Sequence, residues 1–128
     1  MIRIHHIAIY VHQLDEVARF FETYFDIHRI DSYHNQNTGF LSRFLHLNEG
    51  AAIELMNRPD VSDTTDTATH FGLHHLSLSV GSKKMVDTLT DKLAKDGYSV
   101  LSQPRTTGDG YYESCIQGPE NIIIEITV

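Results

Sequence analysis

The chain has 128 residues, 41% hydrophobic and 21% charged, which suits one soluble domain with its own core and leaves no long apolar run to span a membrane. Its formal net charge is −7 and its Lys and Arg are scattered, so a phosphate backbone has little to bind and nucleic acid is excluded as an expected partner. The only cysteine, Cys115, cannot form an internal disulfide, and no basic or uninterrupted apolar leader opens the sequence, so a cytoplasmic protein is expected.

The chain opens with "IRIHHIAIYV" at residues 2–11, an alternating strand. Ile7, Ile9 and Val11 share one face, and His6, Ala8 and Tyr10 the other. In "LDEVARFFETYFD", Val17, Phe20, Phe21, Tyr24 and Phe25 recur at helical spacing and predict an amphipathic helix with an aromatic inner face. A strand is expected near residues 27–33. "GFLSRFLHL", the turn "NEG" and "AAIELM" then read as a hairpin whose alternation sets Glu54 opposite to Ile53 and Leu55. The polar stretch from about 58 to 70 has no periodicity and reads as a connection.

The same elements then return. "FGLHHLSLSV" at 71–80 is a second alternating strand headed by two histidines, with Leu76, Leu78 and Val80 on one face and His75, Ser77 and Ser79 on the other. "GSKKMVDTLTDKLAKDGY" predicts a helix with Ser82 as N-cap, Gly97 just past its end, and Val86, Leu89, Leu93 and Ala94 inward. A strand near 99–103 precedes the hairpin "GYYESCIQ", "GPEN", "IIIEITV", in which Ile122, Ile124 and Ile126 leave Glu125 on the other side. His6 and His75 are 69 residues apart, as are Val17 and Val86, Phe20 and Leu89, Tyr24 and Leu93, and Phe25 and Ala94. The expected fold is therefore α+β: one domain over 1–128 made of two tandem βαβββ modules, about 1–57 and about 71–128, each with its helix on one face of its strands.

Each module offers one His and one Glu from its non-helix face, 48 residues apart in the first and 50 in the second. A glutamate in an apolar strand is costly to desolvate alone, and a divalent cation flanked by neutral imidazoles compensates its charge. His6, Glu54, His75 and Glu125 are accordingly the candidate ligands of one metal ion. Two nitrogens and two carboxylates suit zinc, nickel, cobalt, manganese or iron(II) without ranking them. His5 and His74 have the opposite parity and are expected at the rim or behind the ligands. In "PRTTGDGYYES", Gly108 and Gly110 allow an open turn, Arg105 is a candidate for an anionic substrate group, and Tyr111 and Tyr112 are candidates to cover a ligand.

The segments "HHIAIYV", "FFETYFD", "AIELM", "GLHHLSLSV" and "GDGYYESCIQGPENIIIEI", in this order, resemble the vicinal oxygen chelate superfamily of glyoxalase I, bleomycin-resistance, fosfomycin-resistance and extradiol dioxygenase proteins. Its usual "LG" after the first helix is here Phe25 and Asp26, and its usual "DPDG" turn is "GPEN", where Asn121 can still adopt positive φ. The resemblance implies that the two modules form a curved, cup-like sheet with the helices outside and the strands curled around a metal, and it implies a homodimer. It also favours a lyase or isomerase similar to lactoylglutathione lyase, because His, Glu, His, Glu fill that group's ligand positions. There the residue matching Glu125 both binds metal and moves a proton, and the one matching Glu54 is mainly a ligand. The alternatives are a bleomycin-resistance-like small-molecule-binding protein and a thiol transferase of the fosfomycin-resistance type.

Overall fold

A computed structural model describes residues 5–61, 73–108 and 110–128. Most of the expected connection, and the residues leading into the second module, lie outside the described residues. The chain divides into two compact units, residues 1–64 and 65–128.

In the first unit the elements run β1 (His6–Tyr10), α1 (Leu14–Tyr24), β2 (Arg29–Asn35), β3 (Phe40–His46) and β4 (Ala52–Asn57). The sheet order is β1-β4-β3-β2, with β1 parallel to β4 and the other pairs antiparallel. The second unit repeats this with β5 (Leu76–Ser79), α2 (Lys83–Lys95), β6 (Ser99–Thr106), β7 (Tyr112–Gln117) and β8 (Ile123–Thr127), in the order β5-β8-β7-β6. The α+β class and the paired βαβββ modules are thus those read from the sequence. The strands are organised as two four-stranded sheets, one to each unit, each helix lying on one face of its own sheet.

The helices form where the apolar spacing demands. Val17, Phe20, Phe21 and Phe25 are buried with Leu14 and Ala18, and Phe20 lies 5.4 Å from Phe21 and 5.0 Å from Tyr24 between ring centroids. They cover Leu45, Ile53 and Leu55, all nearly inaccessible. In α2 the buried positions are Val86, Leu89, Thr90 and Leu93, so Ala94 is exposed and Thr90 takes the inner place expected for it. The reason is a partner: Thr90 Oγ1 lies 2.6 Å from Ser114 Oγ on β7 and donates to the Val86 carbonyl at 2.6 Å. Thr90 and Ser114 therefore satisfy each other within an apolar core that includes Val86, Leu93, Ile116, Ile124 and Ile126.

Ser82 caps α2, accepting from the Met85 N–H, and Gly97 (φ 99°) follows its end. In "GPEN", Glu120 (φ 53°) as well as Asn121 (φ 61°) takes up left-handed backbone. β6 is an edge strand whose pairing with β7 shifts register twice, once across Pro104, which has no N–H to give a ladder.

Candidate functional site

Parallel pairing of an edge strand with its neighbour brings the histidine and glutamate of each unit together. Ala8 is registered with Glu54, so His6, two residues earlier on the same face, sits diagonally beside that carboxylate. His6 Nε2 is 3.7 Å from Glu54 Oε2. In the second unit Ser77 is registered with Glu125, and His75 Nε2 is 3.1 Å from Glu125 Oε2. Both carboxylates emerge between buried neighbours, Ile53 and Leu55 in one case and Ile124 and Ile126 in the other. Their side chains retain 18% and 24% of full exposure, and those of His6 and His75 retain 40% and 35%, so each pair remains reachable from solvent.

The preceding histidines are not idle at the rim. His5 Nδ1 is 2.9 Å from His6 Nδ1, with the rings edge-on at 82°, and His74 Nδ1 is 2.9 Å from His75 Nδ1, with the rings at 89°. Among the described residues no three His, Cys, Asp or Glu side chains are grouped closely enough to hold an ion. Each unit therefore presents a two-donor pair, and the donor chemistry of both pairs fits a divalent cation.

The walls beside the two pairs differ. Opposite Glu54 stands Phe44, whose ring is 5.0 Å from that of His6 and 5.2 Å from that of His46. Phe44 and Glu54 line an open depression of about 480 Å³ together with Tyr33, Phe40, Ser42 and His46. At its edge Asp31 Oδ2 is 2.9 Å from His46 Nε2 and 3.1 Å from Arg29 Nη2. None of these wall residues stands out in the sequence as a site residue. The signal was the hairpin register, which sets Phe40, Ser42, Phe44 and His46 on the Glu54 side.

Opposite Glu125 stands Cys115, whose thiol pKa is pushed up by burial and then by the carboxylates of Glu125 and Glu113. Arg105, registered with Glu113, belongs to this same face, and its Nε donates to Ser102 Oγ at 3.4 Å. Tyr111 is exposed, and its backbone N–H donates to Thr107 Oγ1. Tyr112 is turned the other way, against the expectation that it covers a ligand. Its hydroxyl donates to Asp87 on α2 at 2.6 Å, and Lys83 Nζ lies 5.2 Å from its ring centroid. That bond to a carboxylate raises the Tyr112 pKa. No described helix is long and apolar enough to cross a membrane.

Residues 3–126 match the family model of the glyoxalase/bleomycin resistance protein/dioxygenase superfamily, and the chain belongs to that superfamily. It is 30% identical to the uncharacterized protein YqjT of Bacillus subtilis, over 95% of both chains. Its fold is similar to that of a glyoxylase/bleomycin resistance protein/dioxygenase domain from Frankia sp. EAN1pec, with a TM-score of 0.79 and 22% identity over 100% of this chain and 98% of that one. Glyoxalase I from Zea mays is similar at a TM-score of 0.78 and 20% identity, over 98% of this chain and 44% of the maize protein.

Proposed function

We propose that this protein is a metal-dependent lyase or isomerase, similar to lactoylglutathione lyase, that moves a proton next to a carbonyl in a small vicinal-oxygen substrate. The observation that carries this reading is the repetition of one His–Glu pair, in the same strand register, in both units. A lone pair of this kind is a common surface feature. Two copies in equivalent register, each with its glutamate on a strand whose neighbouring aliphatic residues are buried on the other face, are better explained by a shared ligand.

His6, Glu54, His75 and Glu125 are the proposed ligand set for one divalent ion, drawn from one chain or from two copies in a homodimer. Zinc, nickel, cobalt, manganese and iron all suit these donors, and when bound such an ion contributes Lewis-acid polarisation of two neighbouring substrate oxygens. Glu125 is the proposed base: its carboxylate takes the proton from the carbon beside the carbonyl and returns it to the adjacent carbon. Glu125 is carried on the face of β8 opposite to buried Ile124 and Ile126, and its side chain remains partly open to solvent. Arg105, on the same face, is the proposed partner of an anionic substrate group, and exposed Tyr111 at the turn beyond it a proposed cover for the ligand.

The depression beside Glu54 favours a second reading, a protein that binds a small molecule without transforming it. One preparation separates the two. Protein purified without chelator is expected to sediment as a dimer, to carry about one transition-metal ion per site, and to turn over a thiol adduct of methylglyoxal. Metal-free protein that binds small molecules and turns over no adduct would replace the first reading with the second.

A further inference from the structure

We propose that His5 and His74 are positioning residues: each grips the Nδ1 edge of the next imidazole, aiming its Nε2 at Glu54 or Glu125, and each can donate or accept at that contact. This rests on the reading of His6 and His75 as metal ligands, but its geometry is independent of any metal. Adjacent residues on a strand point to opposite faces, so neighbouring side chains do not ordinarily meet. Here they meet twice, at the head of β1 and again just before β5. The contact recurs in separate units with the same atoms, the same 2.9 Å separation and the same edge-on ring geometry. The first pair is also backed by Phe44, 6.1 Å from the His5 ring.

The chemistry explains why the partner is itself a histidine. A neutral imidazole carries one ring proton, so the state of Nδ1 dictates that of Nε2. A ring whose Nε2–H faces the carboxylate accepts at Nδ1 from the neighbour's Nδ1–H. To present a bare Nε2 to a cation, the ring must carry its proton on Nδ1 and donate it to the neighbour. An imidazole partner fits both states, because its own Nδ1 can be either donor or acceptor. An outer partner of this kind holds ring orientation and ligand basicity, and its loss typically costs about ten- to hundredfold in metal affinity.

The test compares His5→Phe and His74→Phe, which keep a ring but no polar atom, with His5→Asn and His74→Asn, which keep both an acceptor and a donor near the Nδ1 position. In metal-free protein, the ¹⁵N resonance of Nδ1 in His6 or His75 should move toward that of an unbonded nitrogen in the Phe variants and stay near the parent value in the Asn variants. Titration with Co²⁺ should show about a tenfold or greater loss of affinity in each Phe variant. Asn should bring the loss back to within about threefold. Unchanged ¹⁵N resonances in folded Phe variants would overturn the proposal, as would Asn variants that lose as much affinity as Phe. A parent protein that takes up no Co²⁺ would overturn the metal reading, and the metal-free spectra would then decide the positioning role.

Discussion

In the first unit the residue registered with the site glutamate is Phe44, backed by His46, Asp31 and Arg29; in the second it is Cys115, flanked by Glu113 and Arg105. The His-His pair, the edge strand that carries it and the glutamate on the next strand are the same in both. What the units share is the His–Glu pair, and what differs is the set of side chains beside it. The first wall is aromatic, and the second polar with an arginine.

The sharpest way to break the comparison is to make the two glutamates unequal. Glu125→Gln keeps the shape and one oxygen donor but removes the proposed base, so turnover on a methylglyoxal–thiol adduct at saturating metal should fall about a hundredfold to ten-thousandfold. Glu54→Gln should chiefly weaken metal binding, so added metal should restore most of its turnover. Steady-state rates for both variants across a metal titration make the comparison. Equal losses that metal restores to the same degree would mean that the two units play interchangeable parts, and unchanged turnover in Glu125→Gln would remove it as the base.

Much of this scaffold was legible in the sequence because repetition and parity are local signals. The constant 69-residue offset exposed both modules, and the apolar residues on either side of Glu54 and Glu125 set each carboxylate on the face away from the helix. Features that depend on cross-strand register were harder to read. Phe44 and Cys115 become site neighbours only once each hairpin is paired, and Tyr112 looked like a mouth residue until Asp87 on α2 claimed its hydroxyl. The contact within each His-His pair was also out of reach, since strand alternation argues that adjacent side chains diverge. Thr90 was missed for a related reason: a threonine on an apolar helix face has no sequence mark of the Ser114 hydroxyl that makes its burial tolerable.

That hydroxyl pair distinguishes the two cores. Thr90→Val should leave Ser114 buried without its partner, costing about 1–3 kcal/mol. Thermal unfolding should show a midpoint several degrees lower. Ser114→Ala added to Thr90→Val should recover most of the loss, because removing both partners leaves no unpaired buried hydroxyl. A double variant no better than Thr90→Val alone would assign the cost to altered packing of α2 on β7 instead.

The smallest effect separates the two helix ends. Past α2, Gly97 has φ 99°, its N–H donating to the Ala94 carbonyl and that of Tyr98 to the Leu93 carbonyl, a paired closure that satisfies the last turn. Past α1 the left-handed residue is Asp26, φ 49°, held through its Oδ2 by Asn48 Nδ2 at 3.2 Å. A Cβ at Gly97 meets nothing within 4 Å, so the cost of Gly97→Ala lies in the backbone alone, about 1–2 kcal/mol. Asp26→Gly should relieve similar strain and remove a negative charge from the negative end of the helix dipole. It also gives up the Asn48 contact and adds freedom to the unfolded chain, so the net gain should be only about half a kcal/mol. Urea unfolding of both variants should move the midpoint in opposite directions, with the larger shift in Gly97→Ala. A loss of stability in Asp26→Gly would mean that the Asn48 contact outweighs the backbone strain, and that the first helix closes through its side chain where the second closes through its main chain.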